Sequence, residues 1–208
     1  MYFSMNSVIK AIIFDVGGVL VRTLDHSGRQ AWEHQLGLPP GGAEAIVLNS
    51  DMGHRAQRGE ITSEALWAWV GDYLMLGPDL LQFRRDFWRG DFVDGNLVEL
   101  VRCLRRNHIL AIISNATDAL HETLAAYNLA DEFDLIVGSA YEGIMKPNPV
   151  IYQRTLYRLA CPPETAVFID DAPANVAGAQ AIGMNAILFG PAIDLAAELV
   201  GLGVQFDS

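Results

Sequence analysis

The sequence predicts an α/β fold in which a doubly wound (Rossmann-like) parallel sheet carries an inserted helical subdomain. From residue 94 onwards, short apolar runs rich in β-branched residues alternate with helical patterns, which is typical of parallel βαβ units. Residues 22–91, by contrast, have a helical pattern throughout. We therefore predict an α/β core over residues 8–22 and 92–208, with residues 23–91 as the inserted helical subdomain.

The composition indicates a folded, acidic protein. The chain has 208 residues, of which 51% are hydrophobic, enough for one domain with a sizeable core. The formal net charge is −11, and Lys plus Arg number only 14. Because nucleic acid and anionic membranes both require basic patches, we expect neither as a partner.

Cysteine usage and the N-terminal segment favour a cytoplasmic protein. Cys103 and Cys161 are isolated and form no CxxC pair, so reduced thiols in a reducing compartment are expected. The leader, residues 1–7, has no basic residue, and the apolar run after it is short and broken by Asp15. We therefore expect neither a signal peptide nor a transmembrane helix.

The first strand is predicted over residues 8–14, an apolar run of the kind that is buried on both faces of a sheet. It ends at Asp15, and Gly17 and Gly18 follow at once. The carboxyl end of a strand in an open parallel sheet borders the crevice where ligands bind. Two glycines there allow a tight turn and close approach of a ligand to the main chain.

The inserted segment is predicted to hold several helices separated by glycine and proline breaks. Thr62 is the expected N-cap of the third helix, and aromatic residues at helical spacing, such as Phe83, Phe87 and Trp88, are expected to form a hydrophobic core. The helices are predicted near residues 28–36, 43–51, 62–76 and 79–89, with breaks at 37–42, Gly53, Gly59 and 77–78.

The rest of the chain is predicted to alternate helix and strand. Helices are expected from Asp94, near 118–127, from Pro149 with Asn148 as N-cap, and before Gly183. Strands are expected over 109–113, 135–137, 166–169 and 186–189.

Polar side chains follow these buried strands, where parallel strands end at one edge of the sheet. They are Asp15, Ser114 with Asn115, Lys146, and Asp170 with Asp171. Clustered carboxylates repel one another unless a cation lies among them, and hard oxygen ligands suit Mg²⁺. Each group also has an ordinary structural interpretation as a helix cap, a loop lysine or a turn. Their joint occurrence instead favours a phosphoryl-transfer site.

Four motifs in this order resemble the haloacid dehalogenase (HAD) superfamily. They are residues 14–20 (FDVGGVL), 113–116 (ISNA), 146–152 (KPNPVIY) and 168–176 (FIDDAPANV). The inserted segment resembles the helical C1 cap of that superfamily. Residues 58–62 (RGEIT) resemble the caps of sugar-phosphate phosphatases similar to α-D-glucose-1-phosphatase.

The resemblance implies a role for each residue at the strand ends. Asp15 would attack phosphorus and form an aspartyl-phosphate. Ser114, Asn115 and the main chain at Gly17 and Gly18 would hold the phosphoryl oxygens, and Lys146 would neutralise charge. Mg²⁺ would be held by Asp15, the carbonyl of Gly17, and Asp170 or Asp171.

One position departs from the pattern of the superfamily. Its phosphatases usually carry a second Asp two residues after the nucleophile as acid and base, and here that position is Gly17. We therefore expect slow turnover, with Asp25, His26 and Glu142 as candidate substitutes. Phosphatases similar to α-D-glucose-1-phosphatase also have a glycine there, so the departure does not exclude activity.

Three functions are compatible with these residues. The first is a Mg²⁺-dependent phosphatase of small phosphomonoesters such as sugar phosphates. The second is a non-catalytic or regulatory phosphate-binding module, which Gly17 favours, and the third is a metal-free 2-haloacid dehalogenase, which has little use for Asp170 and Asp171. Candidate substrate contacts in the inserted segment and its approach are Arg22, Trp32, His54 and Arg55.

Overall fold

A computed structural model describes residues 8–205 and confirms the α/β fold. The leader, residues 1–7, on which the prediction of no signal peptide rests, lies outside the described residues. Five parallel strands form the sheet, in the order β5-β4-β1-β6-β7. They are β1 (Ala11–Phe14), β4 (Ile109–Ser114), β5 (Leu135–Gly138), β6 (Ala166–Asp170) and β7 (Asn185–Leu188). None of the helices in residues 8–205 is long and apolar enough to cross a membrane.

Helices cover both faces of the sheet, because alternate residues of each strand point to opposite sides. Ile12 and Phe14 pack with α6 (Gly95–Leu104), α7 (Leu120–Ala126) and α11 (Leu195–Gly201). Ala11 and Ile13 pack with α9 (Pro149–Leu159) and α10 (Pro173–Ala181) on the other face. The short helix α8 (Ser139–Glu142) follows β5 directly.

The register of the central strands places two carboxylates side by side. Phe14 pairs with Ile169, so Asp15 lies next to Asp170 at the carboxyl edge. Each residue continues the alternation that turns Ile13 and Phe168 towards the face covered by α9 and α10. Two negative side chains therefore meet on one face of the sheet, beside the helix that follows Lys146.

Residues 24–90 contain five α-helices with a hydrophobic cluster of their own. The cluster is built around Trp32, Leu66, Trp67, Phe83 and Phe87. The helices are α1 (Ser27–Leu36), α2 (Gly42–Val47), α3 (Asp51–Gln57), α4 (Ser63–Tyr73) and α5 (Leu80–Trp88). The assignment of residues 23–91 to a separate cap stays a prediction.

Three predictions about this segment are wrong, the third of them at Gly53. It is not helical throughout, because β2 (Val21–Thr23) and β3 (Asp91–Val93) form an antiparallel pair at its two ends. Strands of three residues are too short to give a periodic pattern, and their partners lie far apart in sequence. The helix predicted over 43–51 is also divided, since α2 ends at Val47 and a new helix starts after Ser50.

Gly53 does not break the chain but lies inside α3. A Cβ atom at this position would come within 2.6 Å of the carbonyl oxygen of Val47. Glycine is therefore required here because α3 approaches the end of α2 closely, and its helix-breaking tendency is overridden by tertiary packing.

Candidate functional site

Lys146 lies between two carboxylates at the carboxyl edge of the sheet. Its Nζ is 2.8 Å from Oδ1 of Asp15 and 2.6 Å from Oδ2 of Asp170, and it donates to the carbonyl of Ile113 at 2.9 Å. The ammonium group is fully buried. Its three hydrogens all have acceptors, so Lys146 is fixed in place and offsets the charge of both carboxylates.

Asp170 is fully buried and both of its oxygens accept hydrogen bonds. The main-chain N–H of Ala172 donates to Oδ1 at 2.8 Å, and Nδ2 of Asn175 lies 3.0 and 3.1 Å from the two oxygens. The buried hydroxyl of Tyr152 in turn donates to the carbonyl of Asn175 at 2.9 Å. Asp170 is therefore already saturated by the protein and by Lys146.

Asp171 and Asp15 retain free oxygens. Oδ1 of Asp15 accepts from the N–H of Val16 at 2.7 Å and from Lys146, whereas Oδ2 has no hydrogen-bond donor among residues 8–205. Asp171 is exposed and likewise accepts from no other residue in that range. Ligand oxygens of Asp15, Asp170 and Asp171 lie within 4.8 Å of one another. This set of hard oxygen donors fits a divalent cation such as Mg²⁺.

The two glycines after Asp15 differ in whether the surrounding structure could accommodate a side chain in their place. Gly18 has φ +79°, and a Cβ atom there would collide with the carboxylate of Asp171, so only glycine allows this approach. A Cβ atom at Gly17 would meet nothing within 4 Å. Within the described part of the chain, the N–H and carbonyl of Gly17 make no hydrogen bond, which leaves both for a ligand.

The electrostatics of the cluster disfavour negative charge in the absence of a cation. Burial, opposed by Lys146 and reinforced by Asp170, raises the pKa of Asp15 to about 6. Burial and the neighbouring charge of Asp170 also raise the pKa of Asp171. A divalent cation bound here would favour the ionised forms and reverse both shifts.

Ser114 is the last residue of β4 and Asn115 follows it, beside the same edge. Ser114 is buried, and its hydroxyl makes no hydrogen bond to any residue between 8 and 205. The side chain of Asn115 is occupied by the main chain of Lys146, whereas its N–H has no partner in that range. A hydroxyl and an amide N–H are therefore free to bind an anion, and their contact with substrate stays a prediction.

The candidate substitutes for the missing acid–base group have other partners. Glu142 forms ion pairs with Arg154 at 3.3 Å and Arg158 at 2.6 Å. The carboxylate of Asp25 accepts from the N–H of Ser27 at 2.8 Å, and hydrogen bonding by Ser27 lowers the pKa of Asp25, which makes it a weaker base. His26 occupies the N-cap position of α1. Their participation in catalysis stays a prediction.

The four candidate substrate contacts are engaged within the protein or lie on a partly buried helix face. Arg22 pairs with Asp94 at 2.5 Å, and Arg55 pairs with Glu60 at 3.3 Å. Trp32 is buried in the helical cluster and donates its indole N–H to Asp86 at 3.0 Å. His54 lies half-buried on α3.

Sequence reasoning missed the contacts between the helical segment and the strand ends. Ser139, fully buried, donates to the carbonyl of Gln57 at 2.5 Å and accepts from the N–H of Ala116. Asp118 accepts from the N–H of Ser63, at the start of α4, at 2.8 Å. Asn175, which holds Asp170, was also missed as a site residue. Asn175 could have been found because it is a polar residue in the first turn of a helix that otherwise consists of small apolar residues.

Replacing Lys146 by Met is expected to lower the metal-free protein's free energy of unfolding by about 3–5 kcal/mol, because two buried carboxylates lose their counter-ion. Urea unfolding at pH 7 measures this loss. The exposed Lys10, the other lysine of the chain, provides the control, and Lys10→Met should change stability by less than about 0.5 kcal/mol. Equal losses in the two variants would contradict the assigned role of Lys146.

The chain is similar in sequence to known proteins. Sesquiterpene phosphatase astK of Aspergillus oryzae is 27% identical over 183 residues, covering 86% of this chain and 89% of that protein. Haloacid dehalogenase-like hydrolase domain-containing protein 3 of Mus musculus is 30% identical over 125 residues, covering 58% of this chain and half (50%) of its own length.

Solved structures share the fold. A HAD family enzyme of Bacteroides thetaiotaomicron, in complex with magnesium and inorganic phosphate, superposes with a TM-score of 0.77 at 21% identity, covering 91% of this chain and 98% of that one. The family model for haloacid dehalogenase-like hydrolases matches residues 9–183 of this chain. Because that match spans most of the sequence, the chain belongs to the haloacid dehalogenase-like hydrolase family.

Proposed function

We propose that this protein is a Mg²⁺-dependent phosphatase that hydrolyses small phosphomonoesters through an aspartyl-phosphate on Asp15. The observation that carries the proposal is the buried Lys146 between Asp15 and Asp170, beside oxygens of Asp15 and Asp171 that accept from no donor in the described part of the chain. Membership of the hydrolase family and similarity to a sesquiterpene phosphatase support the same reaction class.

The reaction takes place in two displacements at phosphorus. The Asp15 carboxylate forms a bond to phosphorus while the bond from phosphorus to the ester oxygen breaks, and the departing alkoxide takes a proton from water. Water then attacks phosphorus and gives a proton to solvent, the bond to Asp15 breaks, and inorganic phosphate leaves. Lys146 holds Asp15 in place and offsets the charge of the carboxylates around the phosphoryl group.

Mg²⁺ would be held by Asp15, the carbonyl of Gly17 and Asp171. We assign Asp171 as the direct ligand of the adjacent pair because both oxygens of Asp170 already accept hydrogen bonds. The ion would supply positive charge to the phosphoryl oxygens. The hydroxyl of Ser114 and the N–H groups of Asn115 and Gly17, all without partners in residues 8–205, would bind those oxygens.

Turnover is proposed to be slow because Gly17 provides no side chain at the position of the usual second Asp. The leaving alkoxide and the attacking water therefore rely on solvent for proton transfer. A positioned acid–base group typically contributes about 10²–10⁴-fold to the rate, which is the deficit expected here.

The two other functions have less support. A 2-haloacid dehalogenase needs no cation, and the free oxygens of Asp171 and Asp15 then have no role. A phosphate-binding regulatory module would bind phosphate through the same side chains and N–H groups, and would differ from the phosphatase only in lacking turnover. Gly17 is the feature that favours it.

A panel of phosphomonoesters with and without Mg²⁺ tests the proposal. The panel contains p-nitrophenyl phosphate as a general substrate. It contains hexose phosphates because residues 58–62 resemble the caps of sugar-phosphate phosphatases, and isoprenyl monophosphates because the chain is similar to a sesquiterpene phosphatase. Phosphate release is expected with Mg²⁺ and is expected to stop in excess EDTA. Release that is insensitive to EDTA would refute the proposed cofactor. Binding of inorganic phosphate without phosphate release from any ester would favour the regulatory module. Release of chloride from 2-chloropropionate would favour the dehalogenase.

A further inference from the structure

The side chain of Asn115 is bound to the main chain of Lys146, 31 residues further along the chain. Its Oδ1 accepts from the N–H of Lys146 at 2.8 Å, and its Nδ2 donates to the carbonyl of the same residue at 3.0 Å. The carboxamide thus pairs with both peptide groups of one residue, as a neighbouring strand would.

This pair fixes a part of the chain that has no regular structure. Lys146 lies between α8 and α9, in a connection without helix or strand. Within residues 8–205, its N–H and carbonyl have no other hydrogen-bond partner than Asn115. The position of the Lys146 backbone is therefore set by the residue that directly follows β4.

The other end of the lysine side chain returns to the same strand. Nζ donates to the carbonyl of Ile113, two residues before Asn115, at 2.9 Å. The end of β4 therefore holds Lys146 both at its backbone and at its ammonium group, and the ammonium reaches Asp15 and Asp170 from there. A shift of the backbone would move the ammonium relative to both carboxylates.

We propose that Asn115 is a positioning residue, whose carboxamide holds the backbone of Lys146 and thereby places the ammonium between Asp15 and Asp170. This inference rests on the proposed phosphatase function. A carboxamide that pairs with both peptide groups of Lys146 orients the lysine. Its loss therefore acts on the chemical step more than on substrate binding.

The chain offers a direct spectroscopic test, because Lys10 and Lys146 are its only two lysines. Lysine labelled with ¹³C at Cε gives two resonances, which Lys10→Met assigns. In Asn115→Ala the Lys146 resonance is expected to move towards that of the exposed Lys10. The kcat for p-nitrophenyl phosphate with Mg²⁺ is expected to fall about 10- to 100-fold, with less than about a threefold change in KM.

Asn185 provides a matched control, since its Nδ2 also donates to main-chain carbonyls, those of Glu164 and Ala166 at 3.1 and 3.3 Å. Asn185→Ala is expected to leave the Lys146 resonance and kcat unchanged. An unmoved Lys146 resonance in Asn115→Ala, or a loss expressed mainly in KM, would overturn the inference. If the wild-type protein shows no turnover with Mg²⁺, the proposed function fails instead, whatever the resonance does.

Discussion

Replacing Asp15 by Asn is expected to reduce turnover by at least about 10⁴-fold and at the same time to stabilise the metal-free protein. The first effect follows because a carboxamide cannot form the aspartyl-phosphate. The second follows because burial raises the pKa of Asp15 to about 6, so its ionised form at pH 7 opposes folding. Asn still offers an oxygen to the N–H of Val16. Phosphate release and thermal unfolding with EDTA measure the two effects.

The gain in stability from Asp15→Asn should increase as the pH rises. Asp15 titrates near 3.8 in the unfolded chain and near 6 in the folded one. Its contribution to the free energy of unfolding is therefore fully present below pH 3.8 and is lost as the pH rises through 6. The difference between Asp15→Asn and wild type should be close to zero at pH 4 and reach up to about 3 kcal/mol above pH 7. For a chain of this size that is several degrees in Tm.

Asp86 provides a control of opposite sign. Hydrogen bonds from Gln82 and Trp32 lower the pKa of Asp86, so its ionised form favours folding. Asp86→Asn should therefore destabilise the protein at pH 7, while Asp15→Asn stabilises it. Destabilisation by both variants would contradict the assignment of Asp15 as a residue kept for function at a cost in stability.

Replacing Gly17 by Asp is expected to raise kcat by about 10²–10⁴-fold, because it restores a carboxylate two residues after the nucleophile. The structure has room for this side chain. Gly17 is exposed, and a Cβ atom there would meet nothing within 4 Å. Its carbonyl, the proposed metal ligand, belongs to the main chain and is retained. Steady-state kinetics with p-nitrophenyl phosphate and Mg²⁺ measures the change.

Gly17→Asn is the matched control, since it has the same size and shape as Gly17→Asp but cannot transfer a proton. A gain in Gly17→Asp alone identifies acid–base chemistry as the missing contribution. No gain, or a loss, would show that another group already performs proton transfer. Gly18 is unsuitable for such a test, because a side chain there would collide with Asp171.

Much of the core and the site could be predicted from local patterns. Buried strands give strong apolar runs, and a polar residue directly after such a run marks the edge where ligands bind. Asp15, Ser114 and Asp170 were located in this way, and the parallel register accounts for the closeness of Asp15 and Asp170. Lys146 lies several residues beyond the third predicted strand, so the strand-end pattern located it less directly than the other groups.

Contacts between distant segments could not be predicted, because they leave no periodic signal. The three-residue strands β2 and β3 pair with each other from opposite ends of the helical segment. Gly53 was misread because the reason for glycine there lies in α2. The same holds for Asn115, whose amide could equally cap a helix or bind a ligand. Only its distance to Lys146 shows which group it holds.

By itself, then, the sequence determined the parallel α/β core and the helical segment inserted after the first strand, and it predicted carboxylates and a lysine at the strand ends. Hydrophobic periodicity and the residues at strand ends are local properties, since they depend only on neighbouring positions in the sequence. The tertiary structure decided which oxygens remain free. Asp170 is saturated by Lys146, Ala172 and Asn175, while no donor from residues 8–205 reaches Asp171 or one oxygen of Asp15. Hydrogen-bond saturation depends on partners from distant segments, and folding alone brings them together.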